Sequence, residues 1–359
     1  MAEAQNARQT AISDFQGHAR DFRTPWADLN DKVILVTGGT GSFGHKFVEH
    51  VIAEFKPKKL IIFSRDELKQ YEMAQRFSPE THRFLRYFIG DVRDRDRLEM
   101  AMRDVDYVIH AAALKHVPIA EYNPFECIRT NVMGAENVVQ AAIRRGVKRV
   151  VALSTDKAAS PINLYGASKL ASDKIFVAAN NLAGADGARF SVVRYGNVVG
   201  SRGSVIPFFK KLLNDGATRL PITDPRMTRF WITLNQGVNF VISSLEAMKG
   251  GEIFVPKIPS MNIVELAMTI APGTPQDIVG IRPGEKLHEV MVPEDDSRAT
   301  LEMSDRYVIL PPHYGSPRET YIEEGAASVP DGFRYSSETN PERLDARALQ
   351  TLLSETFAS

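Results

Sequence analysis

Short apolar runs rich in β-branched residues recur along the first part of the chain, and stretches with helical patterning lie between them. Runs of this length are typical of buried parallel strands. The predicted strands are 32–37, 59–63, 84–89, 106–110, 149–153 and 190–195. The helices predicted between them are 45–55, 64–76, 95–102, 131–145 and 165–180. This alternation predicts βαβ units, and with them a Rossmann-like, doubly wound α/β fold whose parallel sheet has helices on both faces.

The alternation breaks after residue 196, where loops punctuated by Gly and Pro take over and helices are predicted at 206–213 and 236–248. We therefore expect a smaller α/β lobe that binds substrate over the sheet edge. The expected division is a flexible extension at 1–30, a dinucleotide-binding domain at 31–196 with segments near 225–250, a lobe at 197–224 and 251–310, and a C-terminal segment at 311–359. That last segment is predicted to be loop-like apart from a short helix at 345–357.

A glycine-rich turn follows the first predicted strand and opens the first predicted helix. Its spacing, G-x-x-G-x-x-G, lets the backbone turn tightly and approach a pyrophosphate at a helix N-terminus. The candidate dinucleotide site therefore comprises Gly38, Thr40, Gly41, Ser42, Phe43 and Gly44. Because ligands bind at the carboxyl ends of parallel strands, further cofactor contacts are expected where later strands end. The candidates there are Asp91 and Val92 beside adenine, Ala111, Ala112 and Ala113 along the dinucleotide, and Lys115 near cofactor or sugar.

The end of the second predicted strand indicates which dinucleotide binds. An NAD site usually has an Asp or Glu there to hold the ribose hydroxyls, whereas this chain has Ser64 and Arg65, and Asp66 comes only afterwards. A hydroxyl and a guanidinium suit the 2′-phosphate of NADP, so NADP is the predicted cofactor. The alternative is that Arg65 is a solvated surface charge and that Asp66 turns towards the ribose of NAD.

Hydroxyl, carboxylate, amine and phenol groups crowd into the stretch 154–169 that follows the fifth predicted strand. Tyr165 and Lys169 are four residues apart, so on a helix they lie on one face. A lysine ammonium close to a phenol lowers the phenol pKa and lets it take a proton from an alcohol near neutral pH. This spacing is common on helix surfaces, but the glycine turn and the strand order make an oxidoreductase site the better interpretation.

Composition narrows the classes of function. The chain has 359 residues, 44 basic against 44 acidic, and its zero net charge gives no reason to expect a nucleic acid or an anionic membrane as partner. No apolar run is long enough to span a bilayer, and the first 30 residues lack the apolar core of a signal peptide. With a single cysteine, Cys127, we expect a cytoplasmic protein. His116 has no ligand partner at metal spacing, so no metal is expected.

Together these motifs resemble the extended short-chain dehydrogenase/reductase superfamily. A closer resemblance, from about residue 32 to 310, is to the inverting UDP-N-acetylglucosamine 4,6-dehydratases of pseudaminic acid biosynthesis. The stretches that carry it are 37–44, 64–67, 91–92, 110–117, 154–157, 165–169, 193–200 and 282–286. The resemblance implies UDP-N-acetylglucosamine as substrate, hydro-lyase activity, and a homo-oligomer that is often a hexamer.

The resemblance implies an elimination that is framed by two hydride transfers. The sugar is oxidised at C4, water leaves across C5 and C6, and the hydride returns to C6, so NADP is regenerated. Tyr165 would take the proton of the 4-hydroxyl with Thr155 close by, and Lys169 would hold the ribose. Asp156 and Lys157 would supply the base for C5 and the acid for the leaving hydroxyl. Retaining relatives have Glu at the position of Lys157. The resemblance therefore implies that the lysine marks the inverting group.

As a base, Lys157 has to be neutral part of the time. We expect burial and the positive charges of Lys169 and the oxidised nicotinamide to lower its pKa. The resemblance also assigns Asn197 to the substrate diphosphate. Arginine forks match a diphosphate and a carboxylate matches ribose hydroxyls, so three more residues are expected nucleotide-sugar contacts. They are Arg229, Arg282 and Glu285.

Other functions of the same fold stay open at this point. A UDP-sugar 4-epimerase would share the glycine turn, Tyr165 and Lys169 but has no need of Asp156 and Lys157. A bifunctional dehydratase/epimerase of capsule or O-antigen synthesis is harder to separate. A regulatory NADP-binding protein without catalysis is disfavoured because Thr155 and the other candidate catalytic residues are all present.

Overall fold

A ten-stranded sheet forms the centre of the protein, which we describe from a computed structural model for residues 20–184, 186–201, 204–312 and 317–357. The strands are β1 (Val33–Thr37), β2 (Lys59–Ser64), β3 (Leu85–Ile89), β4 (Tyr107–His110), β5 (Arg149–Thr155), β6 (Arg189–Tyr195), β7 (Asn197–Val198), β8 (Leu220–Ile222), β9 (Thr228–Ile232), β10 (Ile253–Pro256), β11 (Ser260–Asn262), β12 (Gln276–Ile278), β13 (Val290–Val292), β14 (Thr300–Glu302), β15 (Arg306–Ile309), β16 (Ala327–Ser328) and β17 (Tyr335–Ser336).

Helices occupy most of the connections between these strands. They are α1 (Ser42–Glu54), α2 (Glu67–Arg76), α3 (Arg95–Ala101), α4 (Val117–Tyr122), α5 (Pro124–Ile128), α6 (Gly134–Arg145), α7 (Leu164–Ala183), α8 (Val205–Asn214), α9 (Leu234–Ala247), α10 (Ile263–Ile270), α11 (Arg318–Glu323) and α12 (Ala346–Phe357). A π-helical turn, Arg129–Met133, leads into α6, and 3-10 turns lie at Asp156–Ala158 and Glu294–Ala299.

The sheet has the strand order β16-β14-β15-β10-β6-β5-β4-β1-β2-β3. Neighbours from β10 to β3 pair in parallel, and β15, β14 and β16 extend the sheet through antiparallel pairs. Strand β1 is buried at every position, as its unbroken apolar run requires in a sheet covered on both faces. The strand order reverses between β1 and β4, which opens a crevice at the carboxyl ends of these strands. The predicted Rossmann-like, doubly wound fold is confirmed.

A second apolar core lies outside the large sheet. Helices α8, α10 and α12 contribute Ile206, Leu266 and Leu349 to it, and β9 contributes Trp231. The three-stranded sheet β11-β9-β7 and the pair β12-β8 belong to the same region. The expected boundaries need two corrections: β10, β14 and β15 join the large sheet rather than the lobe, and α12 packs into the lobe core. Short strands and single helices can only bury their apolar sides by joining a neighbour, which chain order alone does not reveal.

Residues 20–30, part of the extension expected to be flexible, are packed onto the body of the protein. Phe22 and Leu29 are 2% and 0% exposed, and the Phe22 ring meets Phe240 of α9 edge to face at 5.2 Å. The Arg20 guanidinium donates to both carboxylate oxygens of Glu342 at 2.6 and 2.7 Å. The prediction is therefore wrong for residues 20–30, because their apolar side chains complete the core; residues 1–19 lie outside the described part.

The segment after residue 310 is more structured than the loop we expected. Tyr321 on α11 is fully buried, and its hydroxyl donates to the backbone carbonyl of Ala247 at 3.1 Å. Strand β16 extends the large sheet and β17 pairs with β13. The final helix is confirmed as α12. Within the described ranges, none of the helices combines the length and apolar character that crossing a bilayer would take.

We predict that Phe22→Ala lowers the free energy of unfolding by about 3–5 kcal/mol, because a buried ring is replaced by a cavity. Urea unfolding followed by circular dichroism measures the change. Leu182→Ala is the control, since that side chain is 70% exposed and its removal opens no cavity. Equal stability of the two variants would show that residues 20–30 are not part of the folded core.

Candidate active site

A cavity of about 630 Å³ opens at the carboxyl ends of the parallel strands. Its wall consists largely of residues that directly follow strands, as the geometry of a parallel sheet requires. The predicted site residues on this wall are Gly38, Thr40, Gly41, Ser42, Phe43, Ser64, Arg65, Asp66, Asp91, Val92, Ala111, Ala112, Ala113, Lys115, Thr155, Lys157, Tyr165, Lys169 and Asn197. The structure thus gathers nearly all the candidate residues around one cavity.

The glycine turn between β1 and α1 forms one end of the cavity. Gly38 has a φ of +64° and lies so close to Ala112 that a Cβ atom would sit 2.8 Å from its backbone. Gly44 lies inside α1, directly against the backbone of Gly39, and leaves no room for a side chain. Gly41 is the N-cap of α1 and supplies no side-chain acceptor for the first-turn N–H groups. A helix N-terminus approached by bare backbone fits a pyrophosphate.

The end of β2 places positive charge at the cavity rim. Asp66 is the N-cap of α2, where its Oδ1 accepts the Lys69 N–H at 3.0 Å and its Oδ2 lies 3.0 Å from Lys69 Nζ. The Arg65 side chain is 55% exposed, and its Nη1 lies 3.7 Å from Asp91 Oδ2. Asp66 is engaged in capping α2 and in an ion pair with Lys69. Arg65 and Lys69 are cations on the cavity wall at this rim, where an anionic ligand can reach them.

The turn after β5 gathers Thr155, Asp156 and Lys157. The Thr155 hydroxyl accepts the Lys157 N–H at 3.3 Å and donates to Asp156 Oδ1 at 2.9 Å. The same Oδ1 lies 3.0 Å from Lys157 Nζ. On its other side, Lys157 Nζ lies 3.4 Å from Oε1 of Glu289, a residue that is 2% exposed. The Lys157 ammonium is therefore held between two buried carboxylates.

This arrangement corrects the expectation for the pKa of Lys157. Burial lowers the pKa, as expected, but the charges of Asp156 and Glu289 outweigh it, so the pKa lies above its usual value despite the opposing charge of Arg229. Lys157 is thus an ammonium in the protein without ligands. Glu289 could not be included in the expectation, because it is more than a hundred residues away in sequence.

Tyr165 and Lys169 lie one turn apart near the start of α7, which Asn163 caps by accepting the Gly166 N–H at 2.7 Å. Burial raises the pKa of Tyr165 to about 12, while Lys157 and a hydrogen bond with Thr155 act in the opposite direction. Burial also lowers the pKa of Lys169. The cation with the largest effect on the pKa of Tyr165 is Lys157, which was not part of the expectation.

A buried ion pair beneath the site was missed from the sequence. Arg194 on β6 lies 3.2 Å from Asp173 on α7, and both side chains are 2% exposed. Asp173 also accepts the Ser154 hydroxyl at 2.9 Å, and Arg194 donates to the Met291 carbonyl on β13 at 3.0 Å. These contacts join four elements, β5, β6, α7 and β13, close to Tyr165 and Lys169. Asp173 is eight residues after Tyr165 and so on the same face of α7, which is the one sequence sign of this pair.

Three predicted substrate contacts lie away from the cavity wall as the described residues define it. Arg229 donates to the backbone carbonyls of Thr228, Lys286 and Leu287 at 2.7–3.0 Å. Its guanidinium therefore holds the segment 286–287 next to β9. Arg282 is exposed, and its Nη1 lies 3.7 Å from Glu285 Oε1. Asn197 does line the cavity.

The loop that carries Arg282 and Glu285 is fastened to the segment 159–163, which follows the turn 155–157. Asn163 Nδ2 donates to the Gly284 carbonyl at 2.8 Å, and Lys286 Nζ donates to the Ala159 carbonyl at 2.6 Å. The loop then leads into Glu289, which faces Lys157. Glu289 was not among the expected site residues, and its position directly before the apolar run 290–292 is the sequence signal that marks it.

Comparison with known proteins places the chain among nucleotide-sugar enzymes. The family described as "Polysaccharide biosynthesis protein" matches residues 34–311. The "UDP-N-acetylglucosamine 4,6-dehydratase (inverting)" of Campylobacter jejuni is 58% identical over 91% of this chain and 99% of its own length. A "UDP-glucose 4-epimerase" of Rickettsia canadensis is 41% identical over 90% of this chain and 95% of its own length.

Solved structures agree with these sequence matches. The X-ray structure of Pen from Bacillus thuringiensis superposes with a TM-score of 0.82 at 36% identity and covers 91% of this chain and 98% of that one. The dTDP-glucose 4,6-dehydratase DesIV of Streptomyces venezuelae, with NAD bound, has a TM-score of 0.63 at 26% identity and covers 71% of this chain and 86% of its own. Such relatives support a nicotinamide dinucleotide in the cavity. The chain belongs to the polysaccharide biosynthesis protein family, in the extended short-chain dehydrogenase/reductase superfamily, and to its group of inverting UDP-N-acetylglucosamine 4,6-dehydratases.

Proposed function

We propose that the protein dehydrates UDP-N-acetylglucosamine with inversion at C5, giving UDP-2-acetamido-2,6-dideoxy-β-L-arabino-hex-4-ulose. The observation that carries this proposal is the Asp156–Lys157 ion pair, whose Lys157 lines the same cavity wall as Tyr165 and Lys169. An oxidising site needs only the second pair, whereas an elimination also needs an acid and a base. We further propose pseudaminic acid, or a related surface sugar, as the pathway that uses the product.

We propose NADP as the cofactor. When bound, its nicotinamide supplies an acceptor for a hydride from the sugar and returns that hydride at the end of the reaction. The glycine turn would hold the pyrophosphate at the start of α1, and Arg65 and Lys69 would meet the 2′-phosphate. Asp66, engaged in capping α2, is a poorer candidate for ribose hydroxyls than the acidic residue of an NAD site.

Tyr165 accepts the proton of the sugar 4-hydroxyl in this proposal. With a pKa of about 12 the phenol is neutral near pH 7, so this pKa must fall before Tyr165 can accept a proton. The cation close enough to lower it is Lys157, and a bound positive ring would add to its effect. The Thr155 hydroxyl also acts to lower the pKa of the phenol.

Asp156 and Lys157 catalyse the elimination in this proposal. They form an ion pair in which the Lys157 ammonium donates one of its protons to Asp156 Oδ1 at 3.0 Å. When that proton moves from Nζ to Oδ1, an N–H bond breaks and an O–H bond forms, and the pair becomes a neutral amine and a neutral acid. The amine then takes the C5 proton, and the acid protonates the departing 6-hydroxyl. The elimination itself restores the original ion pair.

A 4-epimerase is the second candidate, because the Rickettsia relatives that carry this name are about as long as this chain and 40–41% identical to it. It would use Tyr165 and Lys169 in the same way. It gives no role to the ion pair of Asp156 and Lys157, in which the Asp156 carboxylate is buried.

We predict that the purified protein with NADP converts UDP-N-acetylglucosamine into a 6-deoxy-4-keto sugar with inverted C5. Proton NMR of the reaction detects this product by its new C6 methyl signal. A galacto epimer that retains its C6 hydroxymethyl group would instead establish the epimerase.

We predict that Lys157→Ala slows exchange of the C5 hydrogen with deuterated water by about 10²- to 10⁴-fold, because the base is lost. Mass spectrometry of the nucleotide sugar measures the exchange. Lys211→Ala is the control, since that lysine is 78% exposed on α8, outside the cavity wall. Tyr165→Phe should stop the reaction earlier, before any oxidation at C4. Deuterium entering C5 at the wild-type rate in Lys157→Ala would rule out Lys157 as the base.

We predict that Arg65→Ala weakens NADP binding by roughly tenfold or more and leaves NAD binding unchanged, because a charged hydrogen bond to the 2′-phosphate is removed. Dissociation constants from calorimetry measure both effects. Arg76→Ala is matched in exposure, at 55%, and lies on α2 away from the cavity wall. Tighter binding of NAD than of NADP by the wild-type protein would overturn the NADP assignment.

A further inference from the structure

Glu289 is a buried carboxylate, and burying a charge is unfavourable unless it is paired and hydrogen-bonded. Its side chain is 2% exposed, and its Oε2 has no hydrogen-bond partner among the described residues. Its backbone is fixed by Ser337, whose Oγ accepts the Glu289 N–H at 2.9 Å and whose N–H donates to the Glu289 carbonyl at 2.8 Å. A buried carboxylate without full hydrogen bonding is retained at a cost, and this one is aimed at a cation.

The cations beside Glu289 are Lys157 and Arg229. Its Oε1 lies 3.4 Å from Lys157 Nζ and 3.6 Å from Arg229 Nε. Arg229 is itself held by backbone carbonyls at residues 228, 286 and 287. Arg229 therefore holds Glu289 next to Lys157 in the turn 155–157. This role explains why Arg229 lies away from the cavity wall.

The charge of Lys157 depends on groups from every element around it. The groups that face it are Asp156 on its own turn, Glu289 before β13, Arg229 on β9, Tyr165 on α7 and Lys286 on the loop 280–289. The carboxylates stabilise the ammonium and the two cations oppose it. Asp156 also accepts a hydrogen bond from the Thr155 hydroxyl, whereas the Glu289 side chain contacts the cations Lys157 and Arg229 among the described residues. Within the turn 155–157, Lys157 is thus the residue that the Glu289 carboxylate contacts.

We infer that Glu289 is a positioning residue that holds Lys157 at the cavity wall and sets its protonation state. The inference rests on the proposed function, in which Lys157 takes the C5 proton. With Glu289 charged, the neutral amine is scarcer but is a stronger base once formed. Removing this charge while keeping the shape should make Lys157 neutral at lower pH and weaken it as a base.

The test compares Lys157 acetylation by acetic anhydride in the full-length wild-type protein and in Glu289→Gln, between pH 8 and 10. Only the neutral amine reacts, and one pKa unit changes its fraction tenfold. We expect Lys157 in Glu289→Gln to react about three- to tenfold faster, with exposed Lys58 as the internal reference in the same peptide digest.

Glu338→Gln is the matched control. Glu338 is 50% exposed and faces His288 at 3.6 Å rather than Lys157, so the Lys157 rate should not change. If Glu289→Gln does not fold, Glu289→Asp withdraws the carboxylate by one methylene and should give a smaller increase. An unchanged Lys157 rate in folded Glu289→Gln, or an equal increase in Glu338→Gln, would overturn the inference.

Activity provides the second readout. The Asp156–Lys157 pair needs its shared proton, so loss of that proton from Lys157 sets the basic limb of the kcat/KM profile for UDP-N-acetylglucosamine. In Glu289→Gln this basic limb should move to lower pH, and the plateau rate should fall. A purely structural role would lower the rate without moving the limb. The acetylation rate does not depend on turnover and therefore tests the Glu289–Lys157 contact by itself. A wild-type protein that makes no 4-keto sugar would refute the proposed function, whatever the acetylation rates show.

Discussion

The Lys157 ammonium, held between Asp156 and Glu289, is the interaction on which the site depends. One carboxylate comes with the turn after β5, and the other arrives from the segment before β13. Neither carboxylate is exposed, so each needs the cation to remain buried. The sheet and the later part of the chain must therefore be docked before the site carries its proper charges. Other contacts hold the same two parts of the protein together. They are the ion pair of Asp173 with Arg194 and the hydrogen bonds of Asn163 and Lys286.

This charge arrangement connects the steps of the proposed reaction. Lys157 raises the tendency of Tyr165 to ionise, and its own proton is the one that the elimination needs on Asp156. The oxidation and the elimination thus draw on one shared set of protons. A site with only Tyr165 and Lys169 could oxidise a sugar, but it would have no group 3.0 Å from a carboxylate to exchange a proton with it.

The sequence predicted the sheet and the position of the cavity because both follow from local patterns. Unbroken apolar runs identified β1 to β6, and residues at strand ends converge at one edge in any parallel sheet. Contacts between distant segments could not be predicted in this way. Glu289 beside Lys157, Arg229 bonded to the carbonyls of 286 and 287, and Phe22 in the core each depend on tertiary packing. The expected sign of the Lys157 pKa shift was wrong because the neighbouring Asp156 raises the pKa, and because Glu289, which raises it further, reaches Lys157 only through tertiary packing.

The central claim is that one cavity oxidises C4, eliminates water and returns the same hydride to C6. The most direct test supplies UDP-N-acetylglucosamine with deuterium at C4 to the wild-type protein in ordinary water and locates the label by NMR. The account predicts deuterium in the C6 methyl group of the product. Deuterium that remains at C4, or that is lost to water, would contradict it.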